Sequence, residues 1–562
     1  MKRILSLAIF LLMIFGMNVI YAAGGTCGNN VNWNLDDTGV MTISGNGKMT
    51  DYLIEDVNDD HYGWFNYTPW QGLNGAITEV IINDGVTGIG SHSFADCKNL
   101  RKVQLGSSIN YIGSEAFKDC SNLETINNIP NNLIVFGKDV FSGCGNLKSG
   151  KFTAADFGST AAVSSNINSN EYTRWSKPVN SYLYVDGEDL VRVENVGGQI
   201  IVEKYNSTFE IISSKRLDSD IADLWGGFFA GKNENYIITG KVNNAESNAA
   251  EVIRISKYSK DWNLIDQAVI NGSNTRVPFD AGSLRCVESD GILYILTCHK
   301  MYRSNDGMNH QSNMLISIRE SDMEIADINY QVSNTDTGYV SHSFNQFILI
   351  DDDKNIVTLN HGDAFPRAVI LMKYRHKADT SGKFNNGADN VLLLQMNGYN
   401  GDNSTGTCVG GLAETQNHYV TAFNYDGIGG NPNDYHSIVT KRDLYVSFTL
   451  KNNLNTKQMS LSPSNDDFSI GTPAIAPVDL SSGYILWNEM TLNNKKYTPN
   501  GVFCYVKYDD EGNLTTTQSV NGSLSDCQPI IYNGKITWYV TDNTKPTFYI
   551  LDDSGLNVHS QA

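Results

Sequence analysis

Thirteen polar residues in the C-terminal two thirds of the chain have the types and clustering that chemistry needs. One group lies in segments that enter apolar runs: Arg276 and Asp280 in Arg276-Val-Pro-Phe-Asp280, His342 in Ser341-His342-Ser343, and Asp526 and Gln528 in Ser525-Asp-Cys-Gln-Pro529, with Gly471-Thr-Pro473 in the same position. The other group follows apolar runs: His299, Tyr302 and His310, then His361, Asp363 and Arg367, then Trp487 and Glu489. Planar guanidinium forks and carboxylates suit sugar hydroxyls or uronate carboxylates, and Trp487 or Tyr302 offers a face on which a sugar ring stacks. For glycan cleavage the set would supply a His or Tyr base with an arginine neutralising a carboxylate, His361 and His342 being the first candidates. The alternative is architectural: Asp363 and Asp280 cap turns while Arg367 and Arg276 pair with them to hold loops.

Other chemistries find less support. The histidines at 299, 310, 342 and 361 have no short metal-ligand spacing such as HExxH. The acidic turns Asp351-Asp-Asp353, Asp509-Asp510-Glu-Gly512 and Asp426-Gly427 would suit calcium, yet they lack EF-hand spacing and equally serve to reverse hairpins. There is no Gly-x-Ser-x-Gly elbow, and Cys286, Cys298, Cys408 and Cys527 sit in apolar strand contexts where a thiol packs rather than attacks. No cofactor is expected, with calcium in those turns as the alternative.

The elements that must position these residues are short strands. From Ser341 to Tyr374 the chain reads as a polar entry, an apolar strand (347–350), an Asp-rich turn, a second strand (356–359), a polar loop and a third strand (367–374). Equivalent second strands centre on Tyr236-Ile-Ile238, Leu293-Tyr-Ile295, Ile356-Val357, Tyr419-Val420, Tyr484-Ile-Leu486 and Ile536-Thr-Trp538. Such units form the blades of a β-propeller. Six complete blades and a C-terminal group lacking its outer strand predict seven, with Tyr182-Leu-Tyr-Val185 supplying the missing strand and closing the ring. In a propeller the first strand of each blade lines the central channel, and the entering loop shares a face with the loop between strands two and three. The thirteen residues are therefore expected at one mouth of the channel, the default place for a ligand.

The N-terminal part has a different period. Ile89-Gly90, Ile112-Gly113 and Phe136-Gly137 recur with Phe94-x-x-Cys97-x-x-Leu100, Phe117-x-x-Cys120-x-x-Leu123 and Phe141-x-x-Cys144-x-x-Leu147. A period in the twenties with apolar residues at fixed phase is a leucine-rich-repeat solenoid, whose units bury their apolar faces only by stacking. Ahead of it, Val31 to Leu35 and Val40 to Ile43 alternate across an Asp-Asp-Thr-Gly turn, as a β-hairpin cap does. The hairpin phrase Cys27-Gly28-x4-Trp33, the run Gly39-x-Met41-Thr-Ile-Ser-Gly45-x-Gly47, the Pro69-Trp70 pair and the repeats resemble the BspA-type leucine-rich repeat proteins over roughly residues 27 to 153. The resemblance implies a secreted or surface-exposed bacterial protein that adheres to host or neighbouring-cell proteins. The C-terminal part resembles propeller domains appended to such repeats, and the resemblance implies no activity for it.

Composition bounds the rest. The chain has 562 residues, with 61 acidic against 41 basic and a formal charge of −20, which repels phosphate backbones and anionic membrane surfaces and argues against nucleic acid. Residues 1–23 pair two basic residues with an apolar run and small residues at Ala22 and Ala23, the pattern of a secretory signal, and no later stretch suits a transmembrane anchor. Nine cysteines, an odd number, form no disulfide framework or zinc pattern, which points to a reducing setting. The expected organisation is a signal peptide (1–23), repeats (24–153), a Ser/Ala/Asn-rich linker (154–178) and a propeller (179–562), mainly β throughout. The expected function is an exported recognition or adhesion protein that binds extracellular protein or glycan. A secreted polysaccharide lyase or hydrolase with its site in the propeller mouth is the alternative, and a non-catalytic scaffold is the second.

Overall fold

The computed structural model describes residues 23–52, 67–128, 135–137, 139–147, 164–167, 178–196, 199–217, 224–330, 333–335, 338–340, 343–364, 366–384, 387–401, 405–428, 441–493, 496–544 and 546–560. Residues 1–22 of the predicted signal segment and His342 lie outside these residues. The chain divides into two compact units, one of residues 1–163 with 195–201 and 214–219, the other of residues 164–194, 202–213 and 220–562.

In the first unit a six-stranded sheet begins with the antiparallel strands Ala23–Gly28, Val31–Leu35 and Val40–Gly45. The hairpin at 36–39 forms because Asp36 Oδ1 accepts the Thr38 and Val40 N–H groups and Gly39 takes a left-handed φ of 88°. The sheet then turns parallel, adding one strand per repeat: Glu79–Ile82, Lys102–Gln104 and Thr125–Asn127. Gly47–Lys48, Val86–Ile89, Tyr111–Ile112 and Val135–Phe136 form a second parallel sheet. Equal phase brings equivalent residues into register, so Trp70, Phe94, Phe117 and Phe141 stack with ring centroids 5.4, 5.3 and 5.5 Å apart. Cys97 and Cys120 pack in the same core, and the Cys120 and Cys144 thiols donate to the Phe94 and Phe117 carbonyls at 3.1 Å. All nine cysteines are free.

From Ser181 to Ser560 the strands form a seven-bladed propeller of consecutive antiparallel sheets. Blade one runs from its inner strand Ser181–Asp186 through Asp189–Val196 and Gln199–Tyr205 to Ile211–Leu217, and blade two from Leu224–Ala230 to Leu264–Asn271. The inner strands of blades three to seven are Arg285–Ser289, Phe347–Ile350, Thr407–Glu414, Ala474–Asp479 and Ile530–Tyr532. Blades three and six each carry an extra strand, Thr275–Pro278 and Phe468–Ile470, on the far part of a 12-residue second strand, Ile292–Arg303 or Ser482–Asn493.

The ring closes differently from the expectation. Tyr182-Leu-Tyr-Val185 does not complete the last blade; it pairs locally, Leu183 with Arg192 and Tyr184 with Val191, across a turn in which Gly187 has φ 65°. The last blade finishes itself with Gly555–Ser560, reached through a turn at Gly555 with φ 115°. With its outer edge filled by Gly555–Ser560, the last blade has no place for a strand from the other end, and Tyr182–Val185 pairs with the strand that follows it across a short turn. Closure rests instead on residues 164–167 and on side chains. Ser164–Ser165 pairs with Asp542–Thr544, and the buried Asn166 donates its N–H to the Thr541 carbonyl at 3.1 Å, accepts the Thr541 N–H on Oδ1 at 2.7 Å and accepts the Asp526 N–H on its carbonyl at 2.8 Å. Between blades one and seven the wholly buried Arg192 donates to Glu203 Oε2 at 2.6 Å and to Glu194, and lies over the Tyr539 ring at 4.9 Å. The Tyr539 hydroxyl donates to Glu194 at 3.0 Å and the Tyr532 hydroxyl to the Glu188 carbonyl at 2.8 Å.

Candidate functional site

The inner strands of all seven blades bound a channel cavity of about 540 Å³, within the size range of small-molecule sites. The inner strands contribute unequally: blade one lines the space along Ser181 to Val185 and blade two along Phe228 to Ala230, whereas blades four and five reach it with Phe347 and Leu412 alone. Blade one supplies Tyr182 and Tyr184, blade two Phe228, blade three Arg285, blade four Phe347, and the segment entering blade seven Asp526 and Gln528. The wall is thus mainly aromatic and aliphatic.

Most of its polar atoms are already bonded. The Tyr182 hydroxyl donates to the Val179 carbonyl at 2.7 Å, the Tyr184 hydroxyl accepts from Asn235 at 3.2 Å, and Gln528 Nε2 donates to the Ile475 carbonyl at 2.8 Å. Arg285 donates to the Leu284 carbonyl at 3.0 Å, with its guanidinium over the Phe347 ring at 4.7 Å. The exception is Asp526. Its carboxyl accepts no hydrogen bond and joins no ion pair among the described residues. It reaches open space within the channel, yet wall atoms surround it closely enough that desolvation pushes its pKa up to about 7, Arg285 working against the rise and Glu194 adding to it.

The other expected site residues lie elsewhere. His299 is wholly buried, Nδ1 2.7 Å from Thr275 Oγ1 and Nε2 3.1 Å from the Tyr330 carbonyl, and burial lowers its pKa to about 4. His361 is buried against Phe344 with Nε2 2.8 Å from Thr405 Oγ1. Arg367 is buried and donates to the Asn397 and Asp363 carbonyls at 2.7 and 3.3 Å, beside the buried Asp363 side chain. Glu489 is buried and accepts the N–H and hydroxyl of Ser464 at 2.6 and 2.7 Å, and Trp487 packs in a core between blades five and six. Arg276 is buried and donates to Asn309 at 2.7 Å, Asp280 accepts from Gln311 at 3.2 Å, and the Tyr302 hydroxyl accepts from Asn243 at 3.0 Å. His310 is exposed and pairs with Asp306 at 2.7 Å.

Of the described candidates, Asp526 and Gln528 line the cavity. The extra strand Thr275–Pro278 explains part of the difference, since Thr275, Val277 and Pro278 pair with Met301, Lys300 and His299 and fix Arg276 at the irregularity between them. Arg285, Tyr182, Phe228 and Phe347 line the channel without having been singled out. The signal that could have found them is the two-residue alternation of each inner strand, not the loops.

The acidic turns hold their own backbones. Asp351 accepts the Asn355 and Asp353 N–H groups at 2.7 and 3.1 Å, Asp509 those of Asn513 and Glu511 at 2.8 and 3.0 Å, and Asp426 that of Ile428 at 2.9 Å. Among the described residues no group of three or more His, Cys, Asp or Glu is disposed to hold a metal, and no helix is long and apolar enough to cross a membrane.

Comparison with known proteins bears on the repeats. Residues 73–186 match the family model described as BspA type leucine rich repeat region, in six copies. No curated protein matches the chain. A solved leucine-rich repeat protein from Eubacterium ventriosum is 33% identical over 22% of this chain and 30% of its own length, with a TM-score of 0.18, so this chain spans less than a third of that protein. A putative 6-phosphogluconolactonase from Bacteroides fragilis is 12% identical over 69% of this chain and 93% of its own (TM-score 0.38), and a xylan beta-1,4-xylosidase from Bacillus halodurans is 12% identical over 52% and 55% (TM-score 0.27). Identities and TM-scores this low carry no inference about activity. The chain therefore joins a BspA-type leucine-rich repeat region to a seven-bladed β-propeller.

Proposed function

We propose that this is an exported recognition protein that contacts extracellular protein through its repeats and takes an extracellular ligand, glycan or peptide, into the propeller channel. The observation that carries the reading is the Asp526 carboxyl, which stands in a cavity of about 540 Å³ with no hydrogen-bond partner among the described residues. A carboxyl open to the channel is an acceptor that a ligand donor can engage in place of water. The repeat surface supports the other half. Along the parallel strands Val80, Val103 and Ile126 point inward, leaving Glu79, Lys102 and Thr125 in one outward row and Ile81, Gln104 and Asn127 in another. Rows of this kind make a flat, mixed surface suited to protein contact.

An enzyme acting on polysaccharide in the same channel is the second reading. The feature favouring it is again Asp526, held near neutrality by its surroundings as a general acid must be.

Incubating the mature chain with a polysaccharide and matrix-protein array, scoring retention and product release together, separates the readings. Retention without new reducing or unsaturated ends, lost on Asp526→Asn, is the expected result. Release of oligosaccharides would replace recognition by catalysis, and retention of nothing would refute both.

A further inference from the structure

We propose that the channel selects a small organic ammonium ion with an aromatic or aliphatic body. The inference rests on the channel being a binding site and adds the chemistry of its ligand. A polyol needs many partners, and the Tyr182 hydroxyl, Gln528 Nε2 and one Arg285 N–H already donate to backbone carbonyls while the Tyr184 hydroxyl accepts from Asn235. What the channel offers a ligand is a largely apolar wall and one carboxyl, which matches an apolar body with one strong donor. A cation also answers the local charge. Behind Asp526 the carboxylates of Glu194 and Glu203 share a single guanidinium, Arg192, and the whole chain carries −20.

The walls are suited to cations, as the rings around the channel already hold them. The Arg285 guanidinium lies over Phe347 at 4.7 Å and the Lys260 ammonium over Tyr184 at 5.1 Å, each a ring face attracting positive charge. Tyr182 and Phe228, edge to face at 5.4 Å, belong to the same wall. Arg285 donates to the Leu284 carbonyl on that wall, and the Asp526 oxygens join no ion pair among the described residues, so an incoming ammonium has an acceptor to engage.

The charged and titratable groups facing Asp526 are Arg285 from blade three, Glu194 from blade one with Arg192 behind it, and Cys527 beside it. Binding needs the carboxylate ionised, and with a pKa of about 7 that form is a minority at pH 6 and dominant at pH 8. Affinity should therefore be about tenfold weaker at pH 6 than at pH 8.

Calorimetric titration of the mature chain with phenethylammonium chloride, 2-phenylethanol and methyl glucoside at both pH values tests this. The expected result is that the ammonium ion binds at pH 8, weakens about tenfold at pH 6, and loses at least tenfold on Asp526→Asn with the melting temperature kept. Equal binding of 2-phenylethanol, or an Asp526→Asn variant within twofold of the parent for the ammonium ion, overturns the charge selection. If an array ligand is still lost on Asp526→Asn, that failure leaves the recognition reading standing. If array retention is also indifferent to Asp526, the channel falls as a site altogether.

Discussion

Replacing Arg192 by methionine should destabilise the propeller by about 3–5 kcal/mol at pH 8, the cost of stripping one partner from a buried ionic cluster. Arg192 is wholly buried, and its guanidinium is the shared donor to Glu203 and Glu194 and the cation over Tyr539. Methionine keeps a stem of similar length and removes the charge, so the two carboxylates face each other in an apolar seam. An unfolding entropy of about 2 cal/mol/K per residue over roughly 380 residues converts that loss into a fall of about 4–6 °C in melting temperature. The loss should depend on pH. Burial already raises the Glu194 pKa above the usual carboxylate range, and removing the guanidinium raises it further. A group that holds its proton more tightly folded than unfolded favours the folded state at low pH, and stability declines as pH rises from the unfolded value toward the folded one. Scanning calorimetry should therefore find a smaller depression at pH 5 than at pH 8. Changing Arg192, Glu194 and Glu203 together to Met, Leu and Leu should restore most of the stability, since an apolar seam carries no desolvation cost. An unchanged melting temperature, an equal depression at both pH values, or a triple variant no better than the single one would refute this account of ring closure.

His299, neutral in its buried site with a pKa of about 4, should withdraw up to roughly 3 kcal/mol of stability as pH falls from 6.5 to 4, because the unfolded chain then takes up the proton that the folded one refuses. Urea unfolding at pH 7 and 4.5 should find that loss in the parent and a flatter profile in His299→Gln; identical profiles would count against it. Phe117→Ala, in the middle of the stacked ring ladder, should cost the repeat unit about 3–5 kcal/mol, and calorimetry should find the propeller transition unmoved. Equal movement of both transitions would contradict the ladder as the source of the loss.

What the sequence alone determined was everything carried by short-range pattern. The recurrence of Phe94, Phe117 and Phe141 with their cysteines sets a stacking phase before any contact is known, and the ladder of rings follows that phase. The alternation around Tyr236, Leu293, Ile356, Tyr419, Tyr484 and Ile536 marks second strands, which fall in blades two to seven. Tertiary structure decided how the ring closes and what faces the channel. Tyr182 to Val185 has the makings of a strand in either blade one or blade seven, and it pairs within blade one because Gly555–Ser560 already fills the outer edge of blade seven. His299, His361, Arg367 and Glu489 look reactive as residue types, yet each is buried within its blade or against a loop with its polar atoms bonded there. A strand shows alternate residues to opposite faces, so a shift of one position moves a side chain from a loop contact to the channel, and composition does not register that shift. Asp526 could be singled out in the sequence as an acid before a strand; that its carboxyl opens onto a channel with aromatic walls depends on seven strands, far apart in the chain, meeting around one axis.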